Sequence, residues 1–135
     1  MPHLVILYTP QLEANADVTG LCRTLADTMK ACRDDSDKPV FPVGGIRVLA
    51  YPAAHYAVAD GSGDFGFVFL HLRMARGRSA AVHQRVGDAL TAAARAHLAP
   101  MLAKQLSGIT LQIDEGPEVF DSKFGNLHAH FAKTS

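Results

Sequence analysis

The stretch FGFVFLHLRM (65–74) is apolar at almost every position as far as Leu72, not at every second one. A strand with one wet face alternates apolar and polar residues, whereas a continuous run needs cover on both faces. HLVILY (3–8) reads the same way. Helices packed on one side of such a sheet leave its other side apolar and uncovered. Apolar faces of that size are not made for water, so an oligomer is expected.

The rest of the chain is placed outward from this strand. Just before it, DGSGD (60–64) contains Asp-Gly, a strong reversal signal between extended segments. Further back, IRVLAY (46–51) follows a glycine-loosened approach and reads as a strand. HYAVA (55–59) reads as another extended piece after the break at Pro52. Just after 65–74, ARGRSAAVHQ leads into the longest helical pattern, with Val82, Val86, Leu90, Ala93 and Ala94 on one face. Pro100 is expected to kink or end that helix. Gly108 opens a further strand, ITLQID (109–114), and the tail holds one short extended candidate, NLHAHF (126–131).

In the first half, Val18, Leu21, Cys22, Leu25 and Met29 form one helical stripe, with Asn15 or Asp17 as its cap. RDDSDKP (33–39) ends it, since Pro39 forbids continuation. The order is strand–helix–strand, twice. Each half is a βαβ unit whose helix packs on a shared sheet. The expected fold class is α/β (α+β): a four-stranded mixed sheet with two helices on one face. One domain over 1–135 is expected, with pseudo-repeat halves of about 1–60 and 61–135.

Composition narrows the function. Apolar residues make up 48% and charged residues 19%, and Lys plus Arg equals Asp plus Glu at 13 each. A neutral balance without a charged cluster argues against nucleic acid and membrane surfaces as partners. No apolar run is long enough to span a bilayer, and no secretion signal opens the chain. Cys22 and Cys32 lie ten residues apart on one helix. That is about 15 Å of rise, beyond disulfide reach. They read as core or boundary thiols of a reducing cytoplasm.

Three groups can carry chemistry. Pro2 is first: proline commonly starts a strand, where its missing donor is harmless. If Met1 is removed, however, its ring nitrogen becomes a secondary amine. An α-amino group titrates at about 7.7–8.0, lower when buried or beside cations, so Pro2 is a candidate base near neutral pH. Second are Arg47 in GGIRV and Arg78 in RGRS. Arg78 falls where a strand hands over to a helix, with Gly77 for a tight turn, and suits a carboxylate or phosphate. It reads equally as a solvated arginine beside a capping Ser79. Third are seven histidines, including His128 and His130. On a strand these two would share a face, but two ligands do not close a metal site, so no metal is expected.

The opening PH with its apolar strand, GIR (45–47), ADG (59–61), FLHLRMARGRS ending at Ser79, and GNLHAHF together resemble the 5-carboxymethyl-2-hydroxymuconate isomerase family of the tautomerase superfamily. The resemblance runs through nearly the whole chain, in order. It implies a tautomerase-like trimer, removal of Met1 and Pro2 as the catalytic base. It also implies Arg47 and Arg78 as substrate-binding residues. The implied reaction is a cofactor-free double-bond shift in an unsaturated tricarboxylate from homoprotocatechuate degradation. The residue types suit it: one base of near-neutral pKa can take a proton and return it elsewhere. Arginines would hold carboxylates and stabilise shifting negative charge. Leu7, where relatives often carry an acid, and the charged insert CRDDSDKP (32–39) depart from the family pattern and bear on the substrate. Two alternatives stand beside this reading: a tautomerase acting on another enol or unsaturated acid, and a non-catalytic small-molecule-binding or assembly module on the same scaffold.

Overall fold

The computed structural model describes residues 2–132. Its strands are β1 (His3–Tyr8), β2 (Arg47–Pro52), β3 (Gly66–Met74) and β4 (Ser107–Glu115). Helix α1 spans Val18–Ala31, α2 spans Ala80–Leu102, and a short α3 spans Leu127–Ala132. Two 3-10 turns, Pro10–Ala14 and Val43–Gly45, precede α1 and β2. The four strands form one sheet in the order β2-β1-β3-β4. β1 and β2 are parallel, β3 and β4 are parallel, and β1 meets β3 antiparallel. The mixed sheet of two βαβ units is therefore present.

Alternation along the strands sorts side chains between two faces. Leu4, Ile6 and Tyr8 of β1 and Val68, Leu70, Leu72 and Met74 of β3 are buried against the helices. The helices answer with rows spaced four apart: Leu21, Leu25 and Met29 on α1, and Val82, Val86, Leu90, Ala94 and Leu98 on α2. Each fully buried leucine contributes about 1.5–3 kcal/mol relative to an exposed one. The other face is open. Leu7 is 45% exposed, Leu49 45%, Tyr51 50% and Phe67 36%, a share that an internal core would not leave.

Caps set the helix starts. The Asp17 carboxylate accepts from the Gly20 N–H at 2.9 Å, and the Ser79 hydroxyl accepts from the Val82 N–H at 3.2 Å. Pro100 does not end α2, which continues to Leu102. Proline forfeits only its own bond one turn back, and Ala103 N–H still reaches the Ala99 carbonyl at 3.1 Å.

Two extended segments expected from sequence are absent. Residues 55–59 form no strand; β2 ends at Pro52 and the chain runs as loop to β3. NLHAHF (126–131) lies in helix α3, which packs on the turn Val43–Gly45. His128 and His130 therefore do not share a strand face. Successive helical residues are rotated by about 100°, which turns the two imidazoles apart. Six residues are too few for a helix to stand alone, so α3 depends on that contact.

Candidate active site

Antiparallel pairing of β1 with β3 brings the start of β1 beside the end of β3, and the parallel β2 starts there too. Pro2, Arg47 and the turn carrying Arg78 are gathered at this one end of the sheet. Met1, whose removal the sequence reading requires, lies outside the described residues.

Pro2 is buried. The turn before β2 makes room for it. A Cβ placed on Gly45 would come within 3.5 Å of Pro2 Cδ, 3.5 Å of His128 Cε1 and 3.3 Å of Pro42 Cγ. A Cβ on Gly44 would lie 3.0 Å from His128 Cα and 3.1 Å from its Nδ1. The glycine pair thus lets α3 seat His128 directly on the backbone beside the proline ring. By sequence His128 reads only as one of two insufficient metal ligands. The signal that bears on it is the Gly-Gly doublet, which marks close approach by another segment.

Arg47 stands in register with His3 on β1, which is in register with Arg73 on β3, itself opposite Asp114 on β4. This row lies on the open face, since Ile46, Val48 and Ala50 pack toward the core. Arg47 is half-buried and donates to the Gly45 carbonyl at 2.9 Å. Burial, helped by the Arg47 and Arg73 guanidiniums, lowers the His3 pKa below its ordinary value. Asp114 accepts from His71 at 2.8 Å and lies 3.6 Å from Arg73, and its pKa is lowered chiefly by the His71 contact. Beside this row, His3, Val5, His71, Arg73, Glu118 and Asp121 line a recess of about 410 Å³.

Arg78 follows Gly77, whose φ of +104° gives the turn a conformation that favours glycine. Its guanidinium donates to Asp34 Oδ2 at 3.3 Å and to the Val40 carbonyl at 2.8 Å. Asp34 is pinned in turn: its Oδ1 accepts from the Ser36 and Lys38 N–H groups at 2.8 and 3.0 Å. Those backbone donors, from Lys38 first, hold the Asp34 pKa below the usual carboxylate range, with Arg78 adding to the effect. The neighbouring Asp35 pairs with Arg85. The charged stretch CRDDSDKP (32–39), with Val40 just after it, is therefore what grips Arg78. Spacing along the chain did not reveal it, because Asp34 and Arg78 meet only through tertiary folding.

The structure thus brings all three candidates to one end but sends them different ways. Pro2 is enclosed on the helix side, Arg47 faces the open side, and Arg78 is held by Asp34. Among the described residues, no group of three or more His, Cys, Asp or Glu is placed to hold a metal ion. No helix is long and apolar enough to cross a membrane, again among the described residues. Cys22 and Cys32 are free thiols whose pKa values burial raises.

Two βαβ units with proline at the start of β1 define the tautomerase class of fold. A fused 4-OT structure described as a symmetric trimer matches it with a TM-score of 0.51 at 19% identity, a likeness of fold alone. The profile of the 5-carboxymethyl-2-hydroxymuconate isomerase family matches residues 2–131, and the chain belongs to that family. A crystal structure of a 5-carboxymethyl-2-hydroxymuconate delta-isomerase is 56% identical, covering 97% of this chain and 93% of its own, with a TM-score of 0.94. A 5-carboxymethyl-2-hydroxymuconate isomerase from Deinococcus radiodurans R1 is 35% identical, covering 96% of this chain and 93% of its own, with a TM-score of 0.81. The Escherichia coli 5-carboxymethyl-2-hydroxymuconate Delta-isomerase is 28% identical over 97% of this chain and 99% of its own length.

Proposed function

We propose that this chain, a single domain in the cytoplasm, is a cofactor-free isomerase of 5-carboxymethyl-2-hydroxymuconate with Pro2 as its base. The observation that carries the reading is the placement of Pro2: a buried proline at the sheet end where β2 begins with Arg47 and where β3 ends before the turn carrying Arg78. With Met1 removed, the Pro2 nitrogen takes the enol O–H proton. The oxygen becomes a carbonyl as the conjugated electrons shift, and the same nitrogen returns the proton to the distant carbon. Burial of Pro2 lowers its amine toward neutral pH, so that it is basic enough for the first step and acidic enough for the second. Arg47 and Arg78 bind substrate carboxylates. The uncovered face bearing Leu7, Leu49, Tyr51 and Phe67 supports a trimer in which neighbouring copies cover one another.

The test is turnover of that substrate by protein lacking Met1, before and after acylation of the Pro2 nitrogen. The expected result is saturable isomerisation that falls about 10³-fold once the nitrogen is an amide. Undiminished activity in the acylated protein would end the assignment of Pro2.

One observation favours a second substrate. Asp34 already occupies part of the Arg78 guanidinium. An enol acid with one carboxylate fewer would need one cationic partner fewer. Preference for such a dicarboxylate in a substrate panel would select this alternative.

A further inference from the structure

We propose that His128 is a substrate-contacting residue of the same site, holding the enol oxygen while Pro2 moves the proton. This rests on the assignment of Pro2 as base and adds a second group to it. The supporting geometry is the arrangement around Gly45. His128 Cε1, the carbon between the two imidazole nitrogens, and Pro2 Cδ, which is bonded to the ring nitrogen, both lie 3.5 Å from the position of a Gly45 Cβ. The imidazole and the proline ring therefore both neighbour one glycine, on which a Cβ would touch both.

Three features favour a working role over a packing one. Gly44 and Gly45 are both buried under α3, so the close seat is built into the chain on two consecutive residues. His128 itself is exposed, which leaves its ring accessible to a ligand, and it is not part of the core cluster. His3, the histidine adjacent to Pro2 in sequence, stands in the Arg47 row on the open face and does not serve this side.

The chemistry needs such a group. The proton leaves an oxygen at one end of a conjugated chain and arrives at a carbon toward the other. The oxygen turns from hydroxyl to carbonyl and carries partial negative charge on the way. A neutral imidazole always has one ring N–H to donate, and aimed at that oxygen it stabilises the developing charge without consuming a proton. The proton balance stays with Pro2: its nitrogen gains the O–H proton and loses it to carbon, and His128 ends as it began. Around Gly44 and Gly45, His128 has as neighbours the Pro2 ring and the uncharged turn carrying Pro42, while His130 on its own helix points to another side. Arg23 and Lys30 of α1 border the neighbouring recess with Leu127 and Phe131.

The experiment compares His128→Phe, which keeps a ring without a donor, with His128→Asn, which keeps an N–H. Loss of one such donor lowers kcat about 10²-fold with little change in KM, and His128→Asn recovers part of it. Thermal midpoints close to the parent's show that α3 stays docked on Val43–Gly45, so that the kcat loss reads the missing donor. Wild-type kcat in His128→Phe would overturn the proposal. A second readout does not need turnover: the His128 Cε1–H resonance should show an extra inflection at the Pro2 titration, lost when Pro2 is acylated. Its absence in native protein would also overturn the proposal. If the parent fails to turn over the substrate while that inflection is present, the failure belongs to the substrate assignment and not to the His128–Pro2 pairing.

Discussion

The two halves of this molecule place equivalent strand starts at opposite ends of one sheet, and the sequence treats the two ends differently. Where β1 begins, Pro2 sits beside glycines that hold space open for His128. Where β3 begins, Gly66 pairs with Ser107 at the start of β4 and is packed shut. A Cβ on Gly66 would lie 2.4 Å from Leu12 Cδ2 and 2.6 Å from Ser107 Oγ. Thr9, Gln11 and Gln105 bond across the second end, to Phe67, Phe65 and Asp64. A doubled βαβ fold offers two places for a site. In the function proposed above, one of them is used, and the other is filled.

The largest expected effect that sharpens this contrast is on arginine. Arg78→Ala at the open end should raise KM about 10–100-fold, the loss of a charge-assisted hydrogen bond of about 1.5–3 kcal/mol. Gln11→Ala at the filled end should leave steady-state kinetics unchanged and lower stability by only about 1 kcal/mol. Equal KM in Arg78→Ala and parent would remove Arg78 from the site.

Next come the glycines. Gly66→Ala should lose about 1–3 kcal/mol in urea unfolding, because its methyl group has no room. A Cβ at Gly45 meets Pro2 and His128 at ordinary distances but Pro42 Cγ at 3.3 Å, so Gly45→Ala should cost little, about 0.5–1 kcal/mol, as Pro42 gives way. Its kcat should fall about tenfold, as the shift of Pro42 moves the turn that flanks Pro2 and His128. A Gly45→Ala protein with parental kcat would show that the gap has no catalytic use.

The smallest effect is on pH. His3 binds a proton less readily in the folded chain than in the unfolded one. Its contribution to stability is thus present above about pH 6.5 and is lost as pH falls through its lower folded value. His3→Asn should flatten that slope in unfolding experiments between those limits. An unchanged slope would assign it to another group.

Much of this contrast was legible along the chain. β1, β3, α1 and α2 announce themselves through continuous apolar runs and four-residue spacing, and these are patterns of neighbours in sequence. Pro2, Arg47 and Arg78 stood out by residue type and position. α3 did not, because NLHAHF is too short for period to separate helix from strand. Its conformation is decided by a glycine turn some eighty positions earlier. For the same reason His128 read as a weak metal ligand, and the Asp34 grip on Arg78 could not be read at all. Local periodicity carries no record of which loops meet.

The most direct test of the account is the titration of the Pro2 nitrogen itself, followed by NMR in protein carrying ¹⁵N-proline, beside the pH dependence of kcat/KM. The account predicts an amine resonance with a midpoint below the ordinary 7.7–8.0 or so, coinciding with the rising limb of the rate profile. An amide resonance that does not titrate, in a sample that is fully active, would contradict it.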